Sequence, residues 1–548
     1  MASIPRRIAI VGFGPRGLGA LEALARRSDA EGGALAVELF DPTDWPAAGP
    51  NFSPDETPVC LLNLPLRSIG LPPPPIGGGP EDSFAAWLGD AGRDDEAFLP
   101  RARLGTYLHA RFNALLSRLP GHISVVLHPA RVMAAERDPQ GWRLKTQGGN
   151  HGPYDHVLLS LGQPETADDE QMARWRAHAG RHALPLISAY PGSALVKAAE
   201  GWAGRTVGIR GMALSALDVI RMLTLGSGGR FEDGRYVASG REPARIVPFS
   251  LDGQAPAPKP ASAALDTRFD PLLAEDAAFA DALRVALTGP ADAALAPLYD
   301  VLETAALRIL RATGGPSQRS AVNEWLKMEA EAPGSQELRT TRDALRANIA
   351  QAEGAEPPSI GYVIGQLWRK WQPPLRRIYD ETAVAAGTAR AVVSFDDGLK
   401  RYSYGAPVDT ARLLLALIES GLVDPRAAED PDIALALEGW KLQSGGRAVT
   451  VSVMIDSVLP QPALERVTEP LIVELQQQSK LEALGDDLGA QCLPDALLLG
   501  ADDAPVAGLA LAGRLANGST IASDSIHDCF GSICDRWAKT VFASRSNH

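Results

Sequence analysis

The stretch that decides the fold is RRIAIVGFGPRGLGALEALARR, residues 6–27, in which three glycines stand at G-x-G-x-x-G spacing. Its first part, RIAIVGFG, is an apolar run without alternation, which predicts a strand buried on both faces. GLGALEALARR then has apolar residues at helical spacing, and LAVELFDP follows as a second strand that ends at Asp41. The sequence therefore predicts a β-α-β unit, the context in which this glycine spacing binds a dinucleotide.

Each residue of this first fingerprint has a physical task in such a site. Gly12 allows the tight turn, Gly14 lets backbone approach a pyrophosphate, and Gly17 lets the helix pack closely on the strand. The amino end of the helix that follows offers free N–H groups and a positive dipole to phosphates, and Pro15 in this turn is a further candidate cofactor-binding residue. Asp41 can accept hydrogen bonds from a ribose 2′-OH and would repel a 2′-phosphate. The site therefore favours FAD or NAD(H) over NADP(H), and a Gly-rich turn without a ligand is the alternative.

A second unit, GRTVGIRGMALSALDVIRMLT at residues 204–224, repeats the order strand, glycine turn and helix. Its fingerprint positions fall on Gly211, Ala213 and Ala216, and an alanine at the second position crowds a pyrophosphate. We expect Gly211, Ala213 and Ser215 to contact a nicotinamide dinucleotide, while a Rossmann-like fold kept only for packing stays open. No arginine stands at the end of the next strand, ARIVPFS, where a 2′-phosphate would need one. The choice between NADPH and NADH is therefore undecided.

The composition narrows the class of protein. The 548 residues are 45% hydrophobic and 22% charged, with a net charge of −13, which is ordinary for a globular chain of several domains. No basic stripe alternates with aromatic residues, so we expect no nucleic-acid partner, and no apolar stretch is long enough to predict a membrane span. Four cysteines are too few for a disulfide scaffold in a chain of this length, which favours a cytoplasmic location.

The order of the patterns predicts an α/β protein with two Rossmann-like dinucleotide-binding domains and a mainly helical insertion. Alanine, leucine and charged residues dominate the insertion, and strand-like runs return near the end of the chain. The predicted ranges are 1–200 for the first part of the FAD-binding domain, 201–255 and 391–440 for the NAD(P)-binding-like domain, 256–390 for the insertion as a candidate substrate region, and 441–548 for the C-terminal part of the FAD-binding domain.

Two dinucleotide sites in one chain suggest electron transfer between a flavin and a nicotinamide. At this point the sequence resembles the FAD/NAD(P)-binding proteins related to class B-type, N-hydroxylating flavin monooxygenases, such as the aspartate N-hydroxylases that form nitrosuccinate. The resemblance covers most of the chain and is weakest in the helical part. It rests on IVGFGPRGL at 10–18, DP at 41–42, LLNLPLRSIGL at 61–71, PRARLGTYL at 100–108, VLLSLGQP at 157–164, GMALSALDV at 211–219, YGAP at 404–407 and GRLANGSTIASDS at 513–525.

The resemblance implies FAD ligands beyond the first fingerprint. Asn63 is similar to a loop residue that faces the flavin, and Val132 to a strand residue whose backbone meets adenine. Gly162 resembles a turn that crosses near the FAD, and Asp524 resembles an acid beside the ribityl chain. The residues alone leave two alternatives open: Asn63 as a turn cap, and Asp524 as the N-cap of the helix that leads to Trp537.

The resemblance also implies the reaction. It predicts an FAD-dependent monooxygenase that uses NAD(P)H and molecular oxygen to hydroxylate a small polar substrate, we expect at an amino-acid-type nitrogen, through a flavin hydroperoxide. The cofactor supplies the chemistry, and the protein orients it and excludes water. No metal motif is found, and no catalytic side chain is assigned. An FAD-dependent dehydrogenase or reductase without oxygen insertion, a non-catalytic dinucleotide-binding regulator, and a homo-oligomeric state all stay open.

Substrate residues are sought among cations, because a carboxylate substrate needs charged partners. Three segments carry cations in otherwise acidic surroundings: APAPKP with Lys259, WRKWQPPLRR with Arg369, Lys370, Arg376 and Arg377, and KRYSYGAP with Lys400 and Arg401. Lys259 and Arg401 are the selected candidates. Cys529 and Cys534 stand at C-x₄-C spacing, which resembles the redox pair of flavin disulfide reductases, although that pair lies near the N-terminus in those enzymes. At the far end of a chain, such cysteines are more often small buried hydrophobic residues.

Overall fold

The computed structural model describes residues 5–543. The strands within this range are β1 (Arg6–Val11), β2 (Leu35–Phe40), β3 (Ile123–His128), β4 (Val132–Asp138), β5 (Gly141–Thr146), β6 (Gly149–Tyr154), β7 (His156–Leu159), β8 (Leu186–Ser188), β9 (Thr206–Arg210), β10 (Arg230–Glu232), β11 (Arg235–Val237), β12 (Arg245–Phe249), β13 (Asp432–Ala436), β14 (Gly439–Ser444), β15 (Arg447–Val451), β16 (Val453–Asp456), β17 (Leu497–Leu499) and β18 (Pro505–Leu511).

The α-helices of the same range carry most of the remaining chain, and several short 3₁₀ turns join them to the strands. They are α1 (Pro15–Glu31), α2 (Phe84–Leu88), α3 (Arg101–Arg118), α4 (Glu170–His182), α5 (Gly192–Ala199), α6 (Leu214–Thr224), α7 (Ala263–Asp266), α8 (Leu273–Thr288), α9 (Ala296–Thr313), α10 (Arg319–Glu331), α11 (Thr341–Ala352), α12 (Ile360–Asp380), α13 (Ala386–Ser403), α14 (Val408–Glu419), α15 (Pro470–Gln477) and α16 (Ser532–Ala543). No helix in residues 5–543 is long and apolar enough to cross a membrane.

The first sheet has six strands in the order β17-β18-β7-β1-β2-β3. Every neighbouring pair is parallel except β17 with β18. The residues of β1 from Ile8 to Val11 are buried, as expected of a strand covered on both faces. β1, α1 and β2 form the predicted β-α-β unit, so the carboxyl end of β1 leads into the first glycine fingerprint.

The second sheet has four parallel strands in the order β12-β9-β16-β8. β9 ends at the second fingerprint, and α6 follows it. The chain thus contains one mainly parallel and one fully parallel sheet of the predicted Rossmann type, and the predicted fold class is confirmed. Two strands of this sheet, β8 and β16, come from the ranges predicted for the FAD-binding domain. The domain boundaries stay predictions, and the ends of the outer ranges, 1–4 and 544–548, lie outside the described residues.

A bundle of helices from α7 to α13 occupies most of the predicted insertion. The long helix α12 lies at its centre, with Trp368 and Trp371 fully buried. The ring of Trp371 stacks on Phe279 of α8 at a centroid distance of 4.5 Å. Three small antiparallel sheets, β4-β5-β6, β10-β11 and β13-β14-β15, complete the fold.

A buried ion pair fixes the first fingerprint helix to the rest of its domain. Arg111 of α3 donates two hydrogen bonds of 2.7 Å to the carboxylate of Glu22 on α1. The two side chains are 0% and 1% exposed. A paired, hydrogen-bonded arrangement is what allows two charges to lie in a core, so this contact determines how α1 lies against α3.

Candidate active site

The three glycines of the first fingerprint differ in what surrounds them. Gly12 has φ +83°, and a Cβ there would lie 2.6 Å from the carbonyl oxygen of Ser160. A Cβ on Gly17 would lie 2.9 Å from the carbonyl oxygen of Gly12. Both positions therefore need glycine for the fold itself. A Cβ on Gly14 would meet only Gly49, at an ordinary 3.5 Å from its Cα. Packing alone does not require glycine at position 14, which fits a surface kept bare for a pyrophosphate.

Asp41 lies directly after β2, beside this turn, and its side chain already has partners in the protein. One carboxylate oxygen accepts the backbone N–H of Phe13 at 2.6 Å, and the other accepts both the N–H of Thr43 at 2.8 Å and its hydroxyl at 2.5 Å. A carboxylate has about four acceptor sites, so these three bonds leave one site for a ribose hydroxyl. Asp41 thus shapes the fingerprint turn, a role that the sequence analysis missed, and its role as a ribose ligand stays a prediction.

Arg16, inside the first fingerprint, joins α1 to the C-terminal segment. Its guanidinium donates to the carbonyl oxygen of Ser523 at 2.9 Å and forms an ion pair of 2.5 Å with Asp528. Both members of the pair are buried. This contact brings Asp524, the next residue after Ser523, to the amino end of α1. The structure therefore places the predicted ribityl-chain acid close to the predicted pyrophosphate turn.

The alternative role of Asp524 as a helix N-cap is wrong, because α16 begins only at Ser532. The Asp524 carboxylate instead lies 3.4 Å from the Nζ atom of Lys400 on α13. Burial alone would raise the pKa of Asp524, but the charges of Lys400 and Arg514 hold it below its usual value. Asp524 is therefore an ionised group with a cationic neighbour.

The loop that carries Asn63 also reaches this region. His527, three residues after Asp524, has its Nε2 atom 2.9 Å from the carbonyl oxygen of Ser68 in that loop. The side-chain amide of Asn63 makes no hydrogen bond to any residue in the described range 5–543, which gives no support to its alternative as a turn cap. A half-buried amide without an internal partner fits a residue that faces a cofactor.

The two other predicted FAD ligands lie at strand ends of the same region. Gly162 follows β7 with φ +71° and has open space around the position of a Cβ. Val132 begins β4 with its side chain buried, so that only its backbone could meet a ligand. The contacts of both residues with FAD stay predictions.

The second fingerprint has the expected backbone but a more crowded turn. Gly211 has φ +111°, and a Cβ there would lie 2.6 Å from the Oγ atom of Ser457. Ala213 is the N-cap of α6 in extended conformation, and Ser215 lies half-buried in the first turn of that helix. The amino end of α6 therefore offers N–H groups to a phosphate, and binding by these residues stays a prediction.

A buried contact connects the second fingerprint helix with the first domain. Arg101 at the start of α3 forms an ion pair with Asp218 on α6. The Tyr190 hydroxyl donates to the same carboxylate at 2.5 Å, and Arg101 also donates to the carbonyl oxygen of Leu61 at 3.1 Å. The two dinucleotide units are thus held together beside the loop of Asn63.

Arg401, one of the two substrate candidates, lies at the end of the second unit. Its guanidinium is ion-paired with Asp252, three residues after β12, and is 15% exposed. The structure thus places an arginine near the strand end where the sequence analysis found none. The carboxylate of Asp252 already neutralises this cation, which makes it less suited to bind a substrate carboxylate. The role of Arg401 as a substrate ligand stays a prediction.

Lys259, the other candidate, is buried in the helical part next to the loop of Asn63. Its Nζ atom donates to the carbonyl oxygen of Gly405, and it forms no ion pair with any residue from 5 to 543. Burial, together with the nearby charge of Arg369, lowers the pKa of Lys259 to about 7. The adjacent Asp266 accepts from Lys370 at 2.6 Å and lies 3.8 Å from Arg67 of the Asn63 loop.

Arg376 on α12 completes this group of cations; it stands in one of the three cationic segments of the sequence but was not one of the two selected candidates. It donates to the Oε1 atom of Gln372 at 3.3 Å and forms no ion pair within the described range. Burial and the charge of Arg376 lower the pKa of His527, so the Arg376 guanidinium acts electrostatically on the C-terminal segment that carries Asp524. We name Arg67, Lys259, Arg369, Lys370, Arg376 and Lys400 the cationic cluster.

The cysteine pair shows no redox site. Cys529 and Cys534 are free thiols, and the Sγ atom of Cys534 donates to the carbonyl oxygen of Cys529 at 3.5 Å. Burial raises the pKa of Cys529 to about 11 and that of Cys534 to about 12. Neither thiol is ionised near neutral pH, which agrees with a packing role.

Comparison with known proteins shows which family model and which relatives the chain is similar to. A family model described as FAD-NAD(P)-binding matches residues 9–164, the range that contains the first fingerprint, Asp41, Asn63, Val132 and Gly162. Nitrosuccinic acid synthase of Aspergillus oryzae is 27% identical over 541 residues, which cover 85% of this chain and 80% of that protein. Residues 9–164 therefore resemble an FAD-NAD(P)-binding domain in sequence as well as in fold. The predicted family and the predicted FAD and NAD(P) cofactors are confirmed at this level.

A further relative and a solved structure show the same kind of similarity. An L-aspartate N-monooxygenase (nitrosuccinate-forming) of Streptomyces cremeus is 24% identical over 566 residues, covering 85% of this chain and 82% of that protein. Among solved structures, ornithine hydroxylase from Pseudomonas aeruginosa aligns with a TM-score of 0.51 at 13% identity, covering 98% and 99% of the two chains. At that identity, the structural likeness supports the fold alone.

Proposed function

We propose that this protein is an FAD-dependent monooxygenase that uses NAD(P)H and molecular oxygen to hydroxylate the amino nitrogen of an acidic amino acid of the aspartate type. The observation that carries the proposal is the cationic cluster, which includes Arg67 of the Asn63 loop and reaches the segment of Asp524 through Lys400. The names of relatives that match 85% of the chain support the same reaction and favour it over the dehydrogenase and regulator alternatives.

The residues of the first unit fit FAD. Gly14 leaves the space that a pyrophosphate needs, α1 presents its amino end, and Asp41 and Asn63 have hydrogen-bonding capacity left for a ribose and a flavin. When bound, the flavin supplies the redox chemistry between the nicotinamide, oxygen and substrate. The second unit, at Gly211, would hold the nicotinamide dinucleotide.

Arg376 is the residue best suited to bind a substrate carboxylate. It is half-buried, no carboxylate in the described residues pairs with it, and it lies near His527. A guanidinium can hold a carboxylate with two parallel hydrogen bonds, which also fixes the orientation of the substrate. Held in this way, the substrate can direct its amino nitrogen towards the cofactor.

Within the rest of the cationic cluster, Lys259 would be the partner of a second carboxylate. The other members already have carboxylate partners, namely Glu96 for Arg67, Asp266 for Arg369, Asp266 and Asp270 for Lys370, and Asp397 and Asp524 for Lys400, whereas Lys259 has no carboxylate partner in the described range. Because the pKa of Lys259 is about 7, its charge depends on pH in the neutral range. A dianionic substrate would raise that pKa and keep the lysine protonated.

The test is to measure NADH and NADPH oxidation by the purified holoenzyme with L-aspartate, L-asparagine, L-alanine and succinate, and to determine product masses. The proposal predicts that L-aspartate stimulates oxidation most and yields an oxygenated product. Succinate has both carboxylates but no amine, so it should bind without forming an N-oxygenated product. Equal stimulation by all four compounds, or a product without added oxygen, would contradict the proposal.

A further inference from the structure

Three side chains that the proposed reaction does not use meet between the first sheet and the small β4-β5-β6 sheet: Glu38 on β2, His128 on β3 and His151 on β6. Their potential ligand atoms all lie within 4.8 Å of one another. The Oε2 atom of Glu38 is 2.8 Å from the Nε2 atom of His128. All three residues are partly exposed. Two imidazoles and one carboxylate therefore converge on one half-buried point.

The aromatic packing fixes both imidazole rings. The ring of Phe40 stacks on His128 at a centroid distance of 4.8 Å and an interplanar angle of 17°. It meets His151 edge-on at 5.1 Å, and the two imidazoles lie 4.6 Å apart. Side chains held in this way lose little further freedom when they bind a common ligand.

The hydrogen bonds of His151 and Glu38 are of the kind that metal-binding residues make. The Oγ1 atom of Thr146 lies 3.3 Å from the Nε2 atom of His151, which leaves the Nδ1 atom of that ring available. Tyr154 donates to the Oε2 atom of Glu38 at 2.7 Å. Metal-binding histidines usually hydrogen-bond through their second nitrogen to an oxygen, and bound carboxylates are themselves hydrogen-bonded.

We propose that Glu38, His128 and His151 form a binding site for one divalent transition-metal ion, of which Zn²⁺ is the best match. Two imidazoles and a carboxylate are a common zinc ligand set, and the partial exposure leaves the fourth position to water. Ligand atoms about 2.1 Å from a tetrahedral ion are roughly 3.4 Å apart. The 2.8 Å separation of the Glu38 and His128 atoms would therefore open by about 0.6 Å, and a separation at the 4.8 Å limit of the group would close by about 1.4 Å.

One neighbouring charge opposes the ion, and it provides a further test. The guanidinium of Arg7 lies 3.5 Å from Oε1 of Glu38, whereas Oε2 faces His128. Arg7 is 40% exposed, so water screens its repulsion. Removing this charge should tighten metal binding, which is the opposite of the effect expected from removing a ligand.

The site would connect three strands close to the predicted ribose acid. The backbone N–H of Asp41 donates to the carbonyl oxygen of His128 at 3.1 Å. An ion held by β2, β3 and β6 would stabilise this edge of the sheet without contacting the predicted flavin ligands. The inference thus concerns a structural site and does not depend on the proposed reaction.

The test uses untagged holoenzyme treated with EDTA and then titrated with Zn²⁺ by isothermal calorimetry, together with melting curves. The wild-type protein should bind one Zn²⁺ at this site and melt at a higher temperature with the ion. His151→Gln and Glu38→Gln should each weaken this binding about tenfold or more, because each removes a ligand. Arg7→Gln should strengthen it.

The matched control is His109→Gln, because that imidazole lies elsewhere, with its Nδ1 atom 3.0 Å from the carbonyl oxygen of Pro46. Its zinc affinity should equal that of the wild type. His151→Gln is the main variant, because its ring makes only a long hydrogen bond of 3.3 Å, and its metal-free melting temperature should match that of the wild type. Absence of saturable Zn²⁺ binding, or unchanged binding in His151→Gln and Glu38→Gln, would overturn the proposal.

Discussion

Replacement of Gly14 by alanine should separate cofactor binding from folding. Gly14 has φ −84°, which alanine adopts freely, and the new Cβ would lie 3.5 Å from the Cα atom of Gly49. Alanine is a poorer N-cap than glycine, so the free energy of unfolding should fall by only about 1 kcal/mol. The methyl group would occupy the surface that the pyrophosphate approaches. Crowding of a tight contact costs about 1–3 kcal/mol, so the Kd for FAD should rise roughly 5- to 150-fold.

Two other glycines provide the controls for Gly14→Ala. Gly12→Ala should damage the fold itself, since residue 12 has φ +83° and the Cβ would lie 2.6 Å from a backbone oxygen. Gly180→Ala, on the exposed side of α4 with no atom within 4 Å, should leave FAD binding unchanged. The assay is titration of the apoprotein by flavin fluorescence, with melting curves for each variant. Wild-type FAD affinity in a folded Gly14→Ala protein would refute the reasoning.

Three further changes test other parts of the structure. Arg376→Gln should raise KM for the acidic substrate about tenfold or more, as expected for a lost hydrogen bond to a charged group. The Kd for FAD should not change. Arg377→Gln, at the exposed neighbouring position, is the control and should change neither KM nor Kd. Lys259→Met should stabilise the protein below pH 7, where the buried lysine must be protonated. The difference in free energy of unfolding between Lys259→Met and the wild type should shrink by about 1.4 kcal/mol per pH unit as the pH rises from 7 towards 9, because the lysine of the unfolded chain then still binds the proton that the folded one has lost. Urea titrations measure this difference, and a value that does not change with pH would contradict the assignment. Glu22→Gln should lower the free energy of unfolding by about 3–5 kcal/mol, since its arginine partner stays buried, whereas the exposed Glu31→Gln should cost at most about 1 kcal/mol in the same experiment.

The sequence could predict what depends on neighbouring residues. The β-α-β unit from β1 to β2 follows from local periodicity and glycine spacing, and so does the second unit at β9 and α6. The pairing of β16 with β9 could not be predicted in this way, because Met454 and Gly208 meet across almost half of the chain. Strand partners that are distant in sequence have no local signal, which is why the second sheet includes strands outside its predicted range.

The same limit applies to the candidate site. The first fingerprint could be recognised because its three glycines are close in sequence, but the link from Arg16 to Asp528 joins residues 512 positions apart. Asp41 was predicted only as a ligand of ribose, since its hydrogen bond to Phe13 becomes visible only when β1 and β2 are aligned. Among the cations, the sequence could not indicate that Arg376 has no ion-pair partner in the described residues.

The most direct test of the central claim is the fate of oxygen in the reaction. Purified holoenzyme would be supplied with NADPH or NADH, L-aspartate and ¹⁸O₂, and the product would be analysed by mass spectrometry. The proposed function predicts a nitrogen-oxygenated product that carries ¹⁸O and whose formation accompanies NAD(P)H oxidation. Oxidation of NAD(P)H with recovery of unchanged L-aspartate, or a product without ¹⁸O, would contradict it.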